Sequence, residues 1–212
     1  MKQERRTRLC QGAGSRASEA GFSLIELLVV VLILALLSTL MWRKMSGEGE
    51  RSKAAECQQN LQKLFIAMQL YTTDYKEAFP AVTAATHSEE ALNLLVPKYT
   101  ADTSVFICAA SKDSALPSGE SLLKKRISYA YYMGRHASDI EAVLVTDEQV
   151  NASSKAPGQQ VFSADGKPPG NNHQNKGGNF LFCDGHADSS ASAAKALLTL
   201  TQGVVLLNPL PK

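Results

Sequence analysis

Hydrophobic positions are unevenly distributed along the chain, and the longest apolar run lies near its beginning. From Leu24 to Trp42 the only polar residues are Glu26, Ser38 and Thr39. As a helix, residues 22–42 would span roughly 30 Å, the thickness of the apolar core of a bilayer. The pattern predicts a transmembrane helix, and residues 43–212 contain no second apolar run of this length.

A different helical pattern follows the apolar run. Between residues 57 and 75, apolar and aromatic side chains recur at alternating spacings of four and three, which predicts a helical face packed on a globular domain. This stripe consists of Cys57, Leu61, Leu64, Met68, Tyr71 and Tyr75. Gly47 and Gly49 lie between the two patterns. Each glycine in a helix interior lowers the stability of the helix by about 1 kcal/mol relative to alanine. Residues 43–52 are therefore interpreted as a hinge, or alternatively as a short polar linker.

The remaining chain is predicted to form short elements. The long helix should end at Phe79-Pro80, because the residue before a proline disfavours helical geometry, and a short helix should run from an N-cap at Ser88 to Pro97. β-Branched and aromatic runs separated by Gly, Ser, Asn and Pro predict strands. The predicted strands are Val105–Cys108, Ile127–Met133, Ala142–Thr146, Asn179–Cys183 and an edge strand over 204–207, with a last amphipathic helix within 192–202.

These elements predict the fold class. Strands and helices do not alternate regularly, so a parallel sheet is disfavoured. We expect an α+β protein in which a long N-terminal helix, one half in the membrane and one half amphipathic, packs on a small antiparallel β-sheet. The globular domain would comprise residues 53–212.

Charge is concentrated in the leader, residues 1–21. Five of the 22 Lys and Arg residues and two of the 20 Asp and Glu residues lie there, so the leader carries +3 and the remainder −1. The positive-inside rule keeps such a leader cytoplasmic and places the rest of the chain outside. A nearly neutral remainder gives no reason to expect a nucleic-acid partner. Gly21 precedes the apolar run, whereas an ordinary secretory signal is cut after it.

The segment Gly21-Phe22-Ser23-Leu24-Ile25-Glu26-Leu27-Leu28-Val29-Val30 resembles the prepilin-type cleavage and methylation segment of type IV pilins and type II secretion pseudopilins. The resemblance implies cleavage after Gly21 by a prepilin peptidase and methylation of Phe22. It also implies that Glu26 pairs with the terminal ammonium of a neighbouring subunit in a filament. A simpler alternative places Glu26 near the lipid headgroups.

The same resemblance implies partners and a location. The partners would be other pilin or pseudopilin subunits, the prepilin peptidase, an inner-membrane assembly platform and membrane lipid. The protein would be a single-pass protein of the bacterial inner membrane with a periplasmic domain, and later part of a pilus or pseudopilus. Its role would be structural and not enzymatic.

Further segments resemble a large bacterial set of pilin-like proteins that are described as type II secretion proteins. These segments are Cys57-x-x-Asn60-Leu61, Phe79-Pro80, Phe106-x-Cys108, Ser128-Tyr129, and His173 followed by Asp184-Gly185-His186. Three cysteines remain after the leader, so at most one intramolecular disulfide can form. We prefer Cys57 with Cys108, because both fall in family-like segments.

The types of residue in the C-terminal segments are compatible with two kinds of metal site. His173, Cys183, Asp184 and His186 are all zinc-ligand types, although Cys183 and Asp184 should point to opposite faces of a strand. The competing interpretation is a tight turn at Asp184-Gly185 without metal. Calcium is the other option, with Asp165, Asp184 and Asp188 as oxygen ligands.

Two function classes therefore remain open. One is a filament subunit, and the other is a membrane-tethered binding module that does not polymerise. A nucleophilic Cys183 assisted by His186 is disfavoured, because nothing supplies an oxyanion hole. Gly21 together with Glu26 favours the filament subunit, since a simple anchor requires neither residue.

Overall fold

The computed structural model describes residues 23–211, and for residues 39–48 it describes the backbone only. The leader, including Gly21, and Phe22 lie outside the described residues. The chain divides into two compact units, residues 1–45 and residues 46–212.

The first element is the helix α1, Leu24–Asp74. Its backbone is helical through residues 43–52, and the hinge at these residues stays a prediction. The helix ends before it reaches Phe79, earlier than predicted. Lys76 and Glu77 adopt φ values of 53° and 65°, and this left-handed geometry ends a helix.

The segment after α1 contains short helical turns. The helix α2, Ser88–Leu92, starts slightly earlier than predicted, with His87 instead of Ser88 at the N-cap and the Glu90 carboxylate accepting a hydrogen bond from the His87 N–H. A 3₁₀ turn, Asn93–Leu95, continues it towards Pro97.

The prediction of a strand over Val105–Cys108 was wrong. Thr103–Phe106 is a 3₁₀ helix, because the Asp102 carboxylate accepts the Ser104 N–H at 3.0 Å and starts a turn. Another short 3₁₀ turn spans Leu122–Lys124.

Five antiparallel strands form one sheet in the spatial order β4-β3-β2-β1-β5. The strands are β1 Tyr129–Met133, β2 Val143–Asp147, β3 Gly178–Phe182, β4 Ala187–Ser190 and β5 Val205–Leu207. Three predicted internal strands and the edge strand are confirmed. The strand β4 was not predicted.

The predicted helix within 192–202 is wrong. This segment is extended and bridges to residues 155–160, with the Leu198 N–H donating to the Lys155 carbonyl at 2.8 Å. Leu198 is buried, whereas Leu197 is exposed. The adjacent side chains of Leu197 and Leu198 therefore point to opposite sides, as in extended backbone.

Both faces of the sheet are covered. One face packs on α1 through the predicted stripe, in which Cys57, Leu61, Leu64, Met68 and Tyr71 are buried and Tyr75 is half exposed. The opposite face is covered by Val161, Phe162 and Leu198 from the irregular segments. The structure thus confirms an α+β fold with a long N-terminal helix and a small antiparallel sheet, consistent with a pilin-like architecture.

Candidate functional site

The N-terminal turn of α1 carries the predicted assembly residue. Glu26 is exposed in the first turn, where its N–H donates to the Ser23 carbonyl at 2.9 Å. An acid suits this position, because the N-terminus of a helix carries a partial positive charge. The cleavage-site residues Gly21 and Phe22 lie outside the described residues.

Exposed apolar side chains follow Glu26. Consecutive residues from Leu27 to Leu34 are each at least 42% exposed in the single chain. Successive helical residues point in directions about 100° apart, so this surface is apolar on every side. Among the residues that the structure describes, no helix has the combination of length and apolar content needed to cross a membrane.

A second candidate site lies in the core of the globular unit. It joins Cys57 on α1, Cys108 in the loop after the 3₁₀ helix Thr103–Phe106, and His173 in the loop before β3. We call these three residues the Cys2His cluster. All three are at most 4% exposed, and their ligand-type atoms lie within 4.8 Å of one another. Cys108 Sγ is 3.2 Å from His173 Nε2.

Further polar groups surround this cluster. The Ala109 N–H donates to Cys57 Sγ at 3.0 Å. The carboxylate of Asp147, at the end of β2, approaches His173 Nε2 to 3.4 Å. It accepts hydrogen bonds from the Asn179 backbone N–H at 2.6 Å and from Asn172 Nδ2 at 2.9 Å. The carboxylate is therefore held in place beside the imidazole although it is almost fully buried.

The electrostatics distinguish the two thiols. A hydrogen bond from Cys108 lowers the pKa of Cys57 to about 6, although burial opposes this shift. Burial raises the pKa of Cys108 above its ordinary value. Burial also acts to lower the pKa of His173, but the hydrogen bond with Cys57 and the charge of Asp147 raise it overall.

The predicted disulfide partners, Cys57 and Cys108, are thus brought together. Both are free thiols in this structure. A disulfide between them stays a prediction.

The structure does not bring together the four residues predicted as zinc ligands. His173 belongs to the Cys2His cluster, whereas Asp184 and His186 form an exposed pair with Oδ1 and Nδ1 2.6 Å apart. The His186 ring stacks on Phe182, with centroids 4.0 Å apart. Cys183 is buried, and burial raises its pKa to about 12. Asp184-Gly185 turns the chain from β3 to β4, with Gly185 at φ 92°.

The three predicted calcium ligands do not come together either, and each contacts a residue close to it in sequence. Asp165 accepts from the Ser163 hydroxyl at 2.8 Å, and Asp188 pairs with Lys195 at 3.3 Å. Within the described part of the chain, Cys57, Cys108 and His173 are the only group of three or more potential metal ligands.

Sequence patterns indicated part of this site. Cys57, Cys108 and His173 each fall in a family-like segment, but they are separated by more than 50 residues along the chain. Asp147 was missed altogether, because it looks like an ordinary residue at the end of a strand. Only the pairing of β2 with β3 and the packing of α1 on the sheet bring these side chains together.

The fold is α+β and consistent with a pilin-like architecture, and the N-terminal segment matches a known family model. The family model of the prokaryotic N-terminal methylation motif matches residues 16–42. This match supports a similarity to the type IV pilin-like and pseudopilin proteins over these N-terminal residues. The match does not reach the His173 and Asp184-Gly185-His186 segment. Comparison with curated proteins and with solved structures found no match.

Proposed function

We propose that this protein is a structural subunit of a type IV pilus or a type II secretion pseudopilus. Its precursor would be cleaved after Gly21 by a prepilin peptidase, methylated on Phe22 and assembled by packing of the N-terminal helices. The observation that carries this proposal is the methylation motif over residues 16–42, continuous with an apolar helical surface around Glu26.

The apolar surface of α1 supports assembly. A helix that is apolar on every side is stable only when its surroundings are also apolar. Before assembly these surroundings would be lipid, with the +3 leader on the cytoplasmic side and the globular unit in the periplasm. In the filament, the helices of neighbouring subunits would replace the lipid. The same side chains therefore serve in both states.

Glu26 supplies the specificity of assembly in this proposal. A charged carboxylate at the centre of a bilayer costs about 2.5–3.5 kcal/mol on insertion scales. Cleavage after Gly21 would create a terminal ammonium on Phe22, and pairing with Glu26 of a neighbour would neutralise both charges. The pair would also fix the axial stagger between subunits.

The first test is mass spectrometry of the chain expressed with and without a prepilin peptidase. We expect a chain that begins with N-methylated Phe22 only when the peptidase is present. An intact leader in both cultures, or cleavage beyond Trp42, would overturn the proposal.

The second test addresses assembly. Glu26→Ala should abolish incorporation into sheared filaments, while cleavage and methylation continue. Glu50→Ala is the matched control, because Glu50 lies on the same helix, outside the apolar segment, and pairs with Lys53 one turn away. A processed wild-type chain that never enters a filament in its native host would instead favour the membrane-tethered binding module.

A further inference from the structure

The Cys2His cluster joins three parts of the globular unit that are distant in sequence. Cys57 belongs to α1, Cys108 to the loop that crosses it, and His173 to the loop that leads into β3. Each residue is almost inaccessible to solvent. A buried imidazole needs polar partners, because burial without hydrogen bonds is costly, and here the two thiols are among its nearest groups.

The distances within the cluster suit a tetrahedral metal ion. With Zn–S bonds of about 2.3 Å and Zn–N bonds of about 2.0 Å, the sulfur and nitrogen ligands of a tetrahedral site lie about 3.6 Å apart and two sulfurs about 3.8 Å apart. Here Cys108 Sγ and His173 Nε2 are 3.2 Å apart, and no pair of the three atoms exceeds 4.8 Å. Shifts of about 1 Å or less would complete the geometry.

Asp147 lies beside the cluster but outside the group whose ligand atoms are within 4.8 Å of one another, so its carboxylate would have to move towards the sulfurs to become a fourth ligand. Its Oδ2 lies 3.4 Å from the same nitrogen of His173 that faces Cys108. Hydrogen bonds from Asn179 and Asn172 orient the carboxylate, as donors around a metal centre commonly do. Nε2 of His173 therefore faces the Cys108 sulfur, the Asp147 carboxylate and the side-chain amide of Asn179, whose Nδ2 lies 3.1 Å away.

We propose that Cys57, Cys108 and His173 bind one zinc ion, with the Asp147 carboxylate completing the coordination. The ligand set is two thiolates, one imidazole and one carboxylate, a combination of the sulfur, nitrogen and oxygen ligands that zinc accepts. The ion would join α1 to the loop containing Cys108 and to the strands β2 and β3. Its role is a structural clamp on the helix that carries the assembly segment.

The surroundings of Cys57 favour a metal over a disulfide. Its sulfur accepts the Ala109 N–H at 3.0 Å. This hydrogen bond stabilises an anionic sulfur, which is the form that ligates zinc. A disulfide would use both sulfurs but would give the adjoining His173 and Asp147 no role.

One member of the cluster also borders a surface groove. This groove is lined by Glu50, Arg51, Ala54, His173 and Asn179. His173 thus belongs both to the Cys2His cluster and to the lining of the groove.

The test uses the full chain in a non-ionic detergent, with Cys10→Ser in every variant to remove the leader thiol. The protein is reduced, treated with a chelator and dialysed against Zn²⁺ alone, and the bound zinc is measured by plasma mass spectrometry. We expect about one zinc per chain. Co²⁺ in place of Zn²⁺ should give thiolate-to-metal charge-transfer absorption and the visible bands of a tetrahedral site.

Matched variants identify the ligands. Cys57→Ser, Cys108→Ser and His173→Gln should each abolish stoichiometric binding, and Asp147→Asn should weaken it by about 10- to 100-fold. Cys183→Ser and His186→Gln are the controls, since Cys183 is an equally buried thiol outside the cluster and His186 is exposed. Both controls should retain full binding.

Zinc-edge X-ray absorption of the unaltered protein provides a test that does not depend on whether the variants fold. It should show two sulfur ligands and two nitrogen or oxygen ligands. The proposal is overturned if the reduced protein binds substantially less than one zinc, or if Cys183→Ser removes as much zinc as Cys57→Ser. A quantitative Cys57–Cys108 disulfide in protein isolated from its native membrane without reductant would also overturn it.

Discussion

Gly185 lies directly against the ring of Phe65, so the turn between β3 and β4 rests on α1. A Cβ atom placed on Gly185 would be 2.6 Å from Cδ1 of Phe65 and closer still to Cε1. Gly185 also has φ 92°, a conformation that residues with a side chain rarely adopt. This glycine therefore meets two requirements at once, one of backbone geometry and one of packing against the helix.

We predict that Gly185→Ala destabilises the globular unit by about 2–4 kcal/mol, because it combines left-handed strain with overpacking. All six tyrosines lie between residues 71 and 132, so thermal unfolding followed by the tyrosine near-ultraviolet circular dichroism reports on this unit. The measurement uses the full chain in detergent.

Gly158→Ala is the matched control for this prediction. Gly158 has φ 85°, but no atom lies within 4 Å of the position that a Cβ would take there, so its substitution carries the backbone strain alone. Adding Phe65→Leu to Gly185→Ala should recover part of the loss. Equal effects of the two glycine substitutions would contradict the proposed contact with Phe65.

The same turn illustrates what could be predicted from the sequence. Asp184-Gly185 between apolar segments is a recognisable turn signal, and the period of the stripe from Cys57 to Tyr71 correctly indicated the buried face of α1. The strands β1, β2 and β3 were recognisable because each is rich in aromatic or β-branched residues. Local patterns of this kind depend on neighbouring residues only.

Other features depend on contacts between distant segments. Ala187–Ser190 has the sequence Ala-Asp-Ser-Ser and becomes a strand only because β3 offers it an edge to pair with. The segment around Leu198 has helical spacing but pairs with Lys155 instead. The Cys2His cluster likewise arises from tertiary packing, which explains why the sequence grouped His173 with Cys183, Asp184 and His186 instead.

A buried ion-pair network around Arg126 leads to a second prediction. Its Nη1 contacts both Asp113 carboxylate oxygens at 2.8–2.9 Å, and its Nη2 lies 2.7 Å from Glu148 Oε1. All three side chains are at most 11% exposed. Arg126→Ala would leave two carboxylates buried without their cation, so we expect a loss of about 3–5 kcal/mol of stability.

The control for Arg126 is Lys124→Ala. Lys124 makes an exposed ion pair with Glu120 on the neighbouring turn, and such pairs contribute roughly 0–1 kcal/mol. Arg126→Lys should also destabilise, because one ammonium cannot reproduce the separate contacts of Nη1 with Asp113 and of Nη2 with Glu148. A small effect of Arg126→Ala, comparable to that of Lys124→Ala, would contradict the network's importance.

The end of α1 provides a prediction about pH. Hydrogen bonds from Lys98 and then Tyr99 hold the pKa of Asp74 below its ordinary value of 3.8. A carboxyl group with a lowered pKa in the folded state contributes stability above its unfolded pKa, and this contribution is lost as the pH falls through the folded value. The stabilising effect should therefore be constant above about pH 4 and diminish below it.

The comparison of wild type with Lys98→Met tests this expectation. Methionine keeps the length of the side chain but removes the charge next to Asp74. The difference in unfolding temperature between the two proteins should be level from about pH 7 to about pH 4 and then shrink on further acidification. A difference that grows as the pH falls would have the wrong sign.

Glu89 anchors the C-terminal segment, which gives the last prediction. Its buried carboxylate accepts the Ile127 N–H at 2.9 Å and the Leu210 N–H at 3.0 Å through Oε1. Glu89→Leu would leave both donors without this acceptor, and an unsatisfied buried group costs about 1–3 kcal/mol. We therefore expect a loss of about 2–4 kcal/mol of stability, together with faster removal of the last residues by carboxypeptidase.

Two control variants accompany this prediction. Glu89→Gln retains an acceptor oxygen and should lose less stability. Glu141→Leu changes an exposed acid and should leave both measurements close to wild type. If Glu89→Leu leaves carboxypeptidase digestion unchanged, the C-terminal segment is held by its other contacts, such as the bond from Arg126 Nε to the Leu210 carbonyl, and not by Glu89.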